Sequence, residues 1–564
     1  MSPKPRPLAL HPKQSSRRSF LTLTALTAAG VPVVAGCRLS RAGSGGGGGA
    51  GSSGAASPAP DGWQDLDGHL LGHRVSVRVS PLVRVSEEAT ALVLELTRAA
   101  DDAAVADVQS SESGSDDSDN TVYASTSLGR PLPARGASGV RLIDTAGAGR
   151  VWTAGSASGG TLELKPGETV SSTVVFTPVD LDEVTVLVPQ TGFVRVRVID
   201  RDAAADVGVS SEALGKADKI IQDNSGPGDK AAVVPLERYT RALDDSTGTR
   251  TTDKDVTVTL ASDVTFDSDS YNLTAAADAQ LQTVADQIAQ YPDGGNLDIV
   301  GHTDDVADNA HNQTLSENRA GTVKDRLGQL AALTKWQITT TGKGETEPAI
   351  NDTTDEARAA NRRVVITITP TSGTTAKQPG TTGTAAPSAP PASGTGLPEA
   401  KGPVGTGPDG VTVKGPEDYG GQITVTLDHV TRNGGLLLGQ LIVTTGPGGT
   451  GDTTLTGWLN DPAQVHASSR GESGGVSAVG ITNGLTLLAD GQRVYTADYI
   501  LPGGDWHRPL TELYAYEDLK ENVTTTICVV WPDTGQDTVT VDHPGGRFDD
   551  GYAFRLTDIP VITA

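Results

Sequence analysis

Val300-Gly301-His302-Thr303-Asp304, Asn312-Gln313-Thr314-Leu315-Ser316-Glu317-Asn318-Arg319-Ala320 and Ala357-Arg358-Ala359-Ala360-Asn361-Arg362-Arg363-Val364 decide how the middle of this 564-residue chain is read. Leu297-Asp298-Ile299-Val300-Gly301 reads as a strand, and the spacing after it predicts a helix through about residue 330. At about 100° per residue, Asn312, Arg319, Val323 and Leu330 project within about 20° of one direction. The inward stripe is therefore polar in the first turns and apolar in the last. A helix that only filled a core would be apolar throughout, so the polar half marks a cleft at the mouth of the strand. Asp304 can accept from an ammonium there, and the planar fork of Arg319 can bind a carboxylate. The same two charges could instead pair with each other and brace the fold.

Outward from that junction, Val256-Thr257-Val258-Thr259-Leu260 reads as a strand, and Val264-Thr265-Phe266-Asp267 continues or pairs with it. Thr274 is placed to cap a helix whose apolar face is Ala277, Leu281, Val284 and Ile288, stopped by Pro292 and Gly294-Gly295. A strand at 337–341, a short helix near 355–360 and a last strand at 364–368 complete the segment. Alternating strands and helices predict an α/β layer over 255–369, one sheet with packed helices.

The pattern GHTD…NxxLSxxRA…NRRV resembles the OmpA-like peptidoglycan-binding domain family. The resemblance covers about a fifth of the chain. It implies non-catalytic recognition of the diaminopimelate residue of peptidoglycan stem peptides. It further implies that Asp304 and Arg319 are the main ligand residues, with Thr303, Asn312, Leu315 and the strand end Phe266-Asp267 as neighbours. Arg362 fits the NRRV segment either as a ligand residue or as a brace for the last strand. Diaminopimelate carries an ammonium and a carboxylate on one carbon, so two protein charges would read one stereocentre. Lysine-type walls lack that distal carboxylate and would leave Arg319 without a partner. Val306-Ala307-Asp308 departs from the glycine-bearing turn usual after the Thr-Asp pair, which leaves contacts of that loop to glycan unassigned. His302 reads as a packing or hydrogen-bonding residue, since no second metal ligand lies nearby in sequence.

The flanks read differently. From 62 to 200 short alternating runs such as Val75-Ser76-Val77-Arg78-Val79 and Val194-Arg195-Val196-Arg197-Val198 predict an all-β, immunoglobulin-like sandwich. Residues 416–564 predict a second one, and a stretch of it looks like a copy of the first. Thr173-Val174-Val175-Phe176-Thr177-Pro178 precedes Val184-Thr185-Val186, as Ile527-Cys528-Val529-Val530-Trp531-Pro532 precedes Val539-Thr540-Val541. Residues 201–254 read as a linker, with a lead-in strand at Val234-Pro235-Leu236-Glu237-Arg238. Residues 370–415, rich in Pro, Gly and Thr, read as a second linker. Residues 110–120 read as an acidic loop.

Residues 1–36 combine a basic start, an apolar run and small residues before Cys37, which predicts an export signal. Ser16-Arg17-Arg18-Ser19-Phe20-Leu21 resembles the twin-arginine motif, and Val34-Ala35-Gly36-Cys37 resembles a lipobox with Cys37 as the lipidated residue. Without lipidation at Cys37 the protein would be freely secreted. Residues 37–61 are a Gly/Ser-rich tether, and no later run is long and apolar enough to span a bilayer as a helix. Formal charge is −25; residues 1–36 hold five Lys/Arg and no Asp/Glu, leaving 39 basic against 69 acidic residues, or −30. So acidic a chain is a poor nucleic-acid binder. Cys528, in an apolar run far from Cys37, reads as a small buried hydrophobe.

Gly471-Glu472-Ser473-Gly474-Gly475 satisfies G-x-S-x-G, but no strand-to-helix elbow surrounds it. Asp267-Ser268-Asp269 and Asp549-Asp550-Gly551 lack the ordered spacing of a calcium loop. No cofactor, metal site or catalytic residue is expected. These readings describe a lipid-anchored envelope protein facing the cell wall, of actinobacterial type by its Ala/Gly/Thr/Asp-rich composition, that ties membrane to peptidoglycan. The rival reading is a surface scaffold or adhesin whose sandwiches bind a protein partner.

Overall fold

The computed structural model describes residues 59–563, apart from 71, 103–121, 124–135, 146–148, 161, 224–230, 375–395, 416–420, 450–457, 460–481, 483, 504–506, 512–520 and 546–552. The expected export signal, Cys37, residues 110–120, the Gly471–Gly475 motif and Asp549-Asp550-Gly551 lie outside the described residues. Ala56–Ala564 forms one compact unit, largely β with few helices. Among the described residues no helix is long and apolar enough to cross a membrane.

The first module is built from β1 (Gln64–Leu70), β2 (His73–Val79), β3 (Leu82–Ser86), β4 (Ala89–Arg98), β5 (Arg141–Ile143), β6 (Arg150–Thr153), β7 (Thr169–Phe176), β8 (Glu183–Val188), β9 (Gly192–Asp200) and β10 (Ala232–Pro235). Their order is β1-β2-β4-β3-β9-β8-β5-β6-β10, with β7 on β4. Alternation does the folding: β2 buries every second residue, and Val75, Val77 and Val79 join Leu92, Leu94 and Leu96 of β4 in one core. Val184, Val186 and Val188 of β8 enter the same core from the other half of the sheet, so the sheet is folded over on itself. Helix α1 (Ser211–Asp223) lays Ala213, Leu214 and Ala217 on the outer face of β3 and β4.

The central domain follows through β11 (Arg238–Ala242) and β12 (Thr247–Thr251). It contains β13 (Val256–Ala261), the helical turn α2 (Ser262–Thr265), α3 (Ala277–Ala289), β14 (Gly295–Gly301), α4 (Asn309–Leu330), β15 (Trp336–Gly342), α5 (Asp355–Asn361) and β16 (Arg363–Pro370). The sheet order is β15-β14-β16-β13-β12-β11, with β14 and β15 parallel. Leu281, Val284 and Ile288 of α3 and Ala320, Val323 and Leu327 of α4 pack on Leu297, Ile299 and Ile366. Thr274 Oγ1 accepts from Ala277 N at 3.2 Å in the turn that leads into α3, but the helix begins at Ala277 with Ala276 at its N-cap, so Thr274 does not cap it as expected. Val264-Thr265 does not extend the first strand. It closes the turn α2, where Thr265 Oγ1 donates back to Ala261 O at 2.8 Å, and Phe266 makes only an isolated bridge to Leu273.

The last module comprises β17 (Val411–Lys414), β18 (Gln422–Thr426), β19 (Val430–Asn433), β20 (Leu436–Thr445), β21 (Thr486–Ala489), β22 (Gln492–Val494), β23 (Asp498–Ile500), β24 (His507–Pro509), β25 (Thr524–Pro532), β26 (Thr538–His543) and β27 (Phe554–Thr563). Its order is β17-β18-β20-β19-β27-β26-β21-β22-β11, with β25 on β20. Strand for strand this is the order of the first module. The parallel contact of β3 with β9 recurs in the same place as that of β19 with β27. The stretches that looked like copies, in β7–β8 and β25–β26, occupy equivalent positions. β11 closes the last module as β10 closes the first, so two strands only a few residues apart finish two different modules.

The reading of 201–254 as a linker is therefore corrected: the segment carries α1, β10, β11 and β12. Its strands are polar because they are half-exposed on β11 and β12, which hid them from a hydrophobicity reading. In the second expected linker, 370–415, a strand at Val404–Thr406 pairs with β27, and β17 pairs with β18. The two modules meet over a core of their own, where Ile143, Val151 and Leu187 of the first face Leu436, Leu438, Cys528 and Val530 of the last. Cys528 is fully buried there. Gly434 sits in this junction at φ 58, and a Cβ on it would overlap the Thr145 carbonyl. Gly434→Ala should lower stability by at least about 1 kcal/mol from the left-handed backbone alone, read as a shift of the urea midpoint; an unchanged midpoint would contradict the packing of the junction.

Candidate functional site

Gly301 ends β14 against α4 so closely that a Cβ would overlap the Ser316 carbonyl. That approach delivers His302, Thr303 and Asp304 to the first turns of α4. Asp308 caps the helix by accepting from His311 N at 3.0 Å. Ser316 Oγ accepts from Gly344 N at 2.9 Å, so the loop after β15 closes the same corner. The buried residues of α4 are Asn312, Ser316, Arg319, Ala320, Val323 and Leu327, a stripe that is polar first and apolar last.

Asp304 is half-buried, and its Oδ2 accepts from Arg362 Nη1 at 2.7 Å. Arg362 also grips Asp263 with both arms, Nε to Oδ1 at 2.7 Å and Nη2 to Oδ2 at 2.6 Å. The Asp263 carboxylate, and after it Asp304, hold the Arg362 guanidinium above its usual range. Arg362 is thus a brace between α2 and the strand end.

Arg319 is engaged differently. It is 4 % exposed, its Nε donates to the Ser270 carbonyl at 2.9 Å, and its guanidinium lies over the Phe266 ring, 5.2 Å from the centroid. Among the described residues no carboxylate makes an ion pair with it, and its two terminal nitrogens make no hydrogen bond. Burial pushes its affinity for a proton down, partly offset by the Asp263 and Asp269 carboxylates. The pairing of Asp304 with Arg319 that the sequence left open does not occur; Asp304 takes Arg362 instead.

The remaining expected residues divide. Asn312 Nδ2 donates to Asp304 O at 3.1 Å, Ala307 O at 3.2 Å and Glu345 Oε2 at 2.6 Å, so it ties the Asp304 loop to the loop after β15. Thr303 donates its backbone N–H to Gly344 O at 2.9 Å, and its Oγ1 is buried without a partner. Phe266 is the buried floor beneath Arg319. Leu315 is half-buried one turn before Arg319, and Asp267 is exposed in the turn after Phe266. Asp263, Ser270 and Glu345 were not singled out in the sequence. Asp263 lies 99 residues from Arg362 without a motif, and Ser270 contributes a backbone carbonyl, which any residue type supplies.

The OmpA family pattern matches residues 265–362, which contain every expected site residue of the cleft. YfiB of Escherichia coli strain K12 is 31 % identical over 110 residues, which are 20 % of this chain and 68 % of that protein. The chain belongs to the OmpA family. Outer membrane porin F of Pseudomonas aeruginosa is 38 % identical over 102 residues, 18 % of this chain and 29 % of the porin; the chain thus spans under a third of that relative. Among solved structures, the peptidoglycan-associated lipoprotein from Burkholderia pseudomallei is 27 % identical, with 18 % of this chain and 86 % of that one aligned and a TM-score of 0.17. The cell wall anchor of the T6SS from Pseudomonas aeruginosa is 30 % identical, with 21 % and 82 % aligned and a TM-score of 0.19. The β-modules on either side of the central domain lie outside the family match.

His302, beside Asp304, is 4 % exposed with Nδ1 lacking a partner, and burial lowers its pKa from 6.5 to about 4. Between those values the unfolded chain binds the proton and the folded one does not, so stability rises with pH from about 4 to 6.5. His302→Asn should flatten part of that rise in denaturation midpoints measured across the window; an unchanged slope would contradict a buried neutral imidazole.

Proposed function

We propose that the central domain binds peptidoglycan through the diaminopimelate residue of its stem peptide, without catalysis. The observation that carries this reading is the state of Arg319: a buried guanidinium whose terminal nitrogens are left without a carboxylate. An arginine so held has already lost much of its hydration. A carboxylate that docks there in bidentate fashion gains a charge-assisted pair at small further desolvation cost. Asp304 offers Oδ1 to the ammonium of the same carbon, since Arg362 takes Oδ2 and Oδ1 accepts only a long bond from Val306 N at 3.3 Å. Thr303, Leu315 and Asp267 border this pair, while Asn312 and Arg362 hold its geometry. Membership of the OmpA family supports the same ligand.

On this reading the chain is a cell-envelope lipoprotein, exported through its twin-arginine leader and anchored in the membrane by lipid on Cys37. The tether at 37–61 lifts the folded unit toward the wall. The duplicated β-modules, in our proposal immunoglobulin-like sandwiches around 62–200 and 416–564, hold the central domain between them and offer surfaces for a protein partner.

Co-sedimentation of the full chain with diaminopimelate-type and lysine-type peptidoglycan tests the proposal. The wild type should bind the first and not the second. Arg319→Ala and Asp304→Ala should each weaken binding at least about 10-fold, the scale of a lost charged hydrogen bond, with folding retained by circular dichroism. Equal binding to both walls, or binding that survives both substitutions, would overturn it.

A further inference from the structure

We propose that Glu237, Asp498 and His507 form a site for a divalent transition-metal cation of the zinc class, at the seam between the connector and the last module. Glu237 lies between β10 and β11, the strands that close the two modules. It pairs with Asp498 of β23 as an isolated antiparallel bridge, Glu237 N to Asp498 O at 2.7 Å and Asp498 N to Glu237 O at 3.0 Å. Residues opposite each other in such a bridge project to the same face. Ile500 lies two residues along on that face and is the register partner of His507 on β24. Three strands thereby bring two carboxylates and an imidazole to one side of a small sheet. One ligand atom from each lies within 4.8 Å of the others.

The spacing fits a metal site. His507 Nδ1 is 3.2 Å from Asp498 Oδ2 and 3.4 Å from Glu237 Oε2. A charge-assisted N–H···O bond is about 2.7–2.9 Å long. An Nδ1–H can also point at only one of the two oxygens. Without that proton, a nitrogen lone pair would face two carboxylates. Around zinc the metal–ligand distances are about 2.0–2.2 Å, which sets tetrahedral ligand–ligand edges of roughly 3.4 Å. The two separations are close to such an edge.

Burial points the same way. Asp498 is 1 % and Glu237 8 % exposed, and a cation between two carboxylates on a low-dielectric face offsets the cost of burying them. Arg250 reaches Glu237 from the other side, at 3.8 Å from Oε1, and so leaves the Oε2 edge turned toward His507. Imidazole with two carboxylates favours zinc-class ions over magnesium or calcium, which take oxygen ligands. Three protein ligands leave a fourth position for water. A cation held there would clamp the β10–β11 connector to the β23–β24 hairpin. The next residue, Tyr499, accepts from Arg141 Nε of the first module at 2.8 Å, so the clamp would stiffen the seam between modules.

The test uses the full chain, stripped with a chelator and titrated with Zn²⁺ by calorimetry, with Mg²⁺ and Ca²⁺ in parallel. One Zn²⁺ per chain and a rise in the unfolding midpoint are expected, with neither alkaline-earth ion reproducing them. Glu237→Gln and His507→Gln should each weaken Zn²⁺ binding at least 10-fold. His507→Gln leaves the strand pairing of both carboxylates in place, so its loss of binding with an unchanged circular dichroism spectrum reports the ligand itself. Absence of Zn²⁺ binding in the wild type, or binding that both folded variants retain, would overturn the assignment.

Discussion

Arg362 governs the cleft. Its guanidinium spans two carboxylates, gripping Asp263 with two nitrogens and Asp304 with the third. Were Arg362 absent, Asp304 would be available to pair with Arg319, and the cleft would be neutralised from within. By engaging one Asp304 oxygen, Arg362 aims that carboxylate and keeps Arg319 open. Ser270 and Phe266 do the complementary work on Arg319, holding its Nε and one face while leaving the ends of the fork clear. A buried arginine without an ion-pair partner among the described residues, only partly offset by the Asp263 and Asp269 carboxylates, is costly to maintain in the unliganded protein. That cost supports the proposed ligand, one that carries both charges.

The frame around the cleft is a duplication with an insertion. Two modules share one strand order, and the central domain lies between them in sequence. β11 belongs to two structures at once: it closes the last module against β22 and leads through β12 into the central sheet. The central domain is therefore not hung on a string; its sheet runs into that of its neighbour through backbone hydrogen bonds. A pull on the ligand would pass along those strands into the last module, and across the shared apolar junction into the first.

The sequence carried the central domain well because its strands alternate with helices of clear period, and the stripe from Asn312 through Arg319 to Val323 is buried in the polar-then-apolar order its spacing predicts. The same periodicity could not show which carboxylate Arg362 or Asp304 would find, since Asp263 and Arg362 meet only through tertiary folding. Residues 201–254 were missed because half-exposed strands such as Thr247–Thr251 carry no apolar alternation. The junction did leave a trace. Ile527-Cys528-Val529-Val530-Trp531 is apolar at every position, unlike the alternating strands. β25 explains it: Ile527, Val529 and Trp531 enter the module core while Cys528 and Val530 enter the junction. The Glu237, Asp498, His507 cluster had no local signal at all, because its members come from two distant stretches of chain.

A crystal structure of the protein with a diaminopimelate-containing stem peptide addresses the central claim most directly. The account predicts the distal carboxylate on the terminal nitrogens of Arg319, the ammonium of the same carbon on Asp304, and Arg362 still bridging Asp263 and Asp304. A ligand bound elsewhere, or an Arg319 that pairs with Asp304 when the cleft is empty, would contradict it.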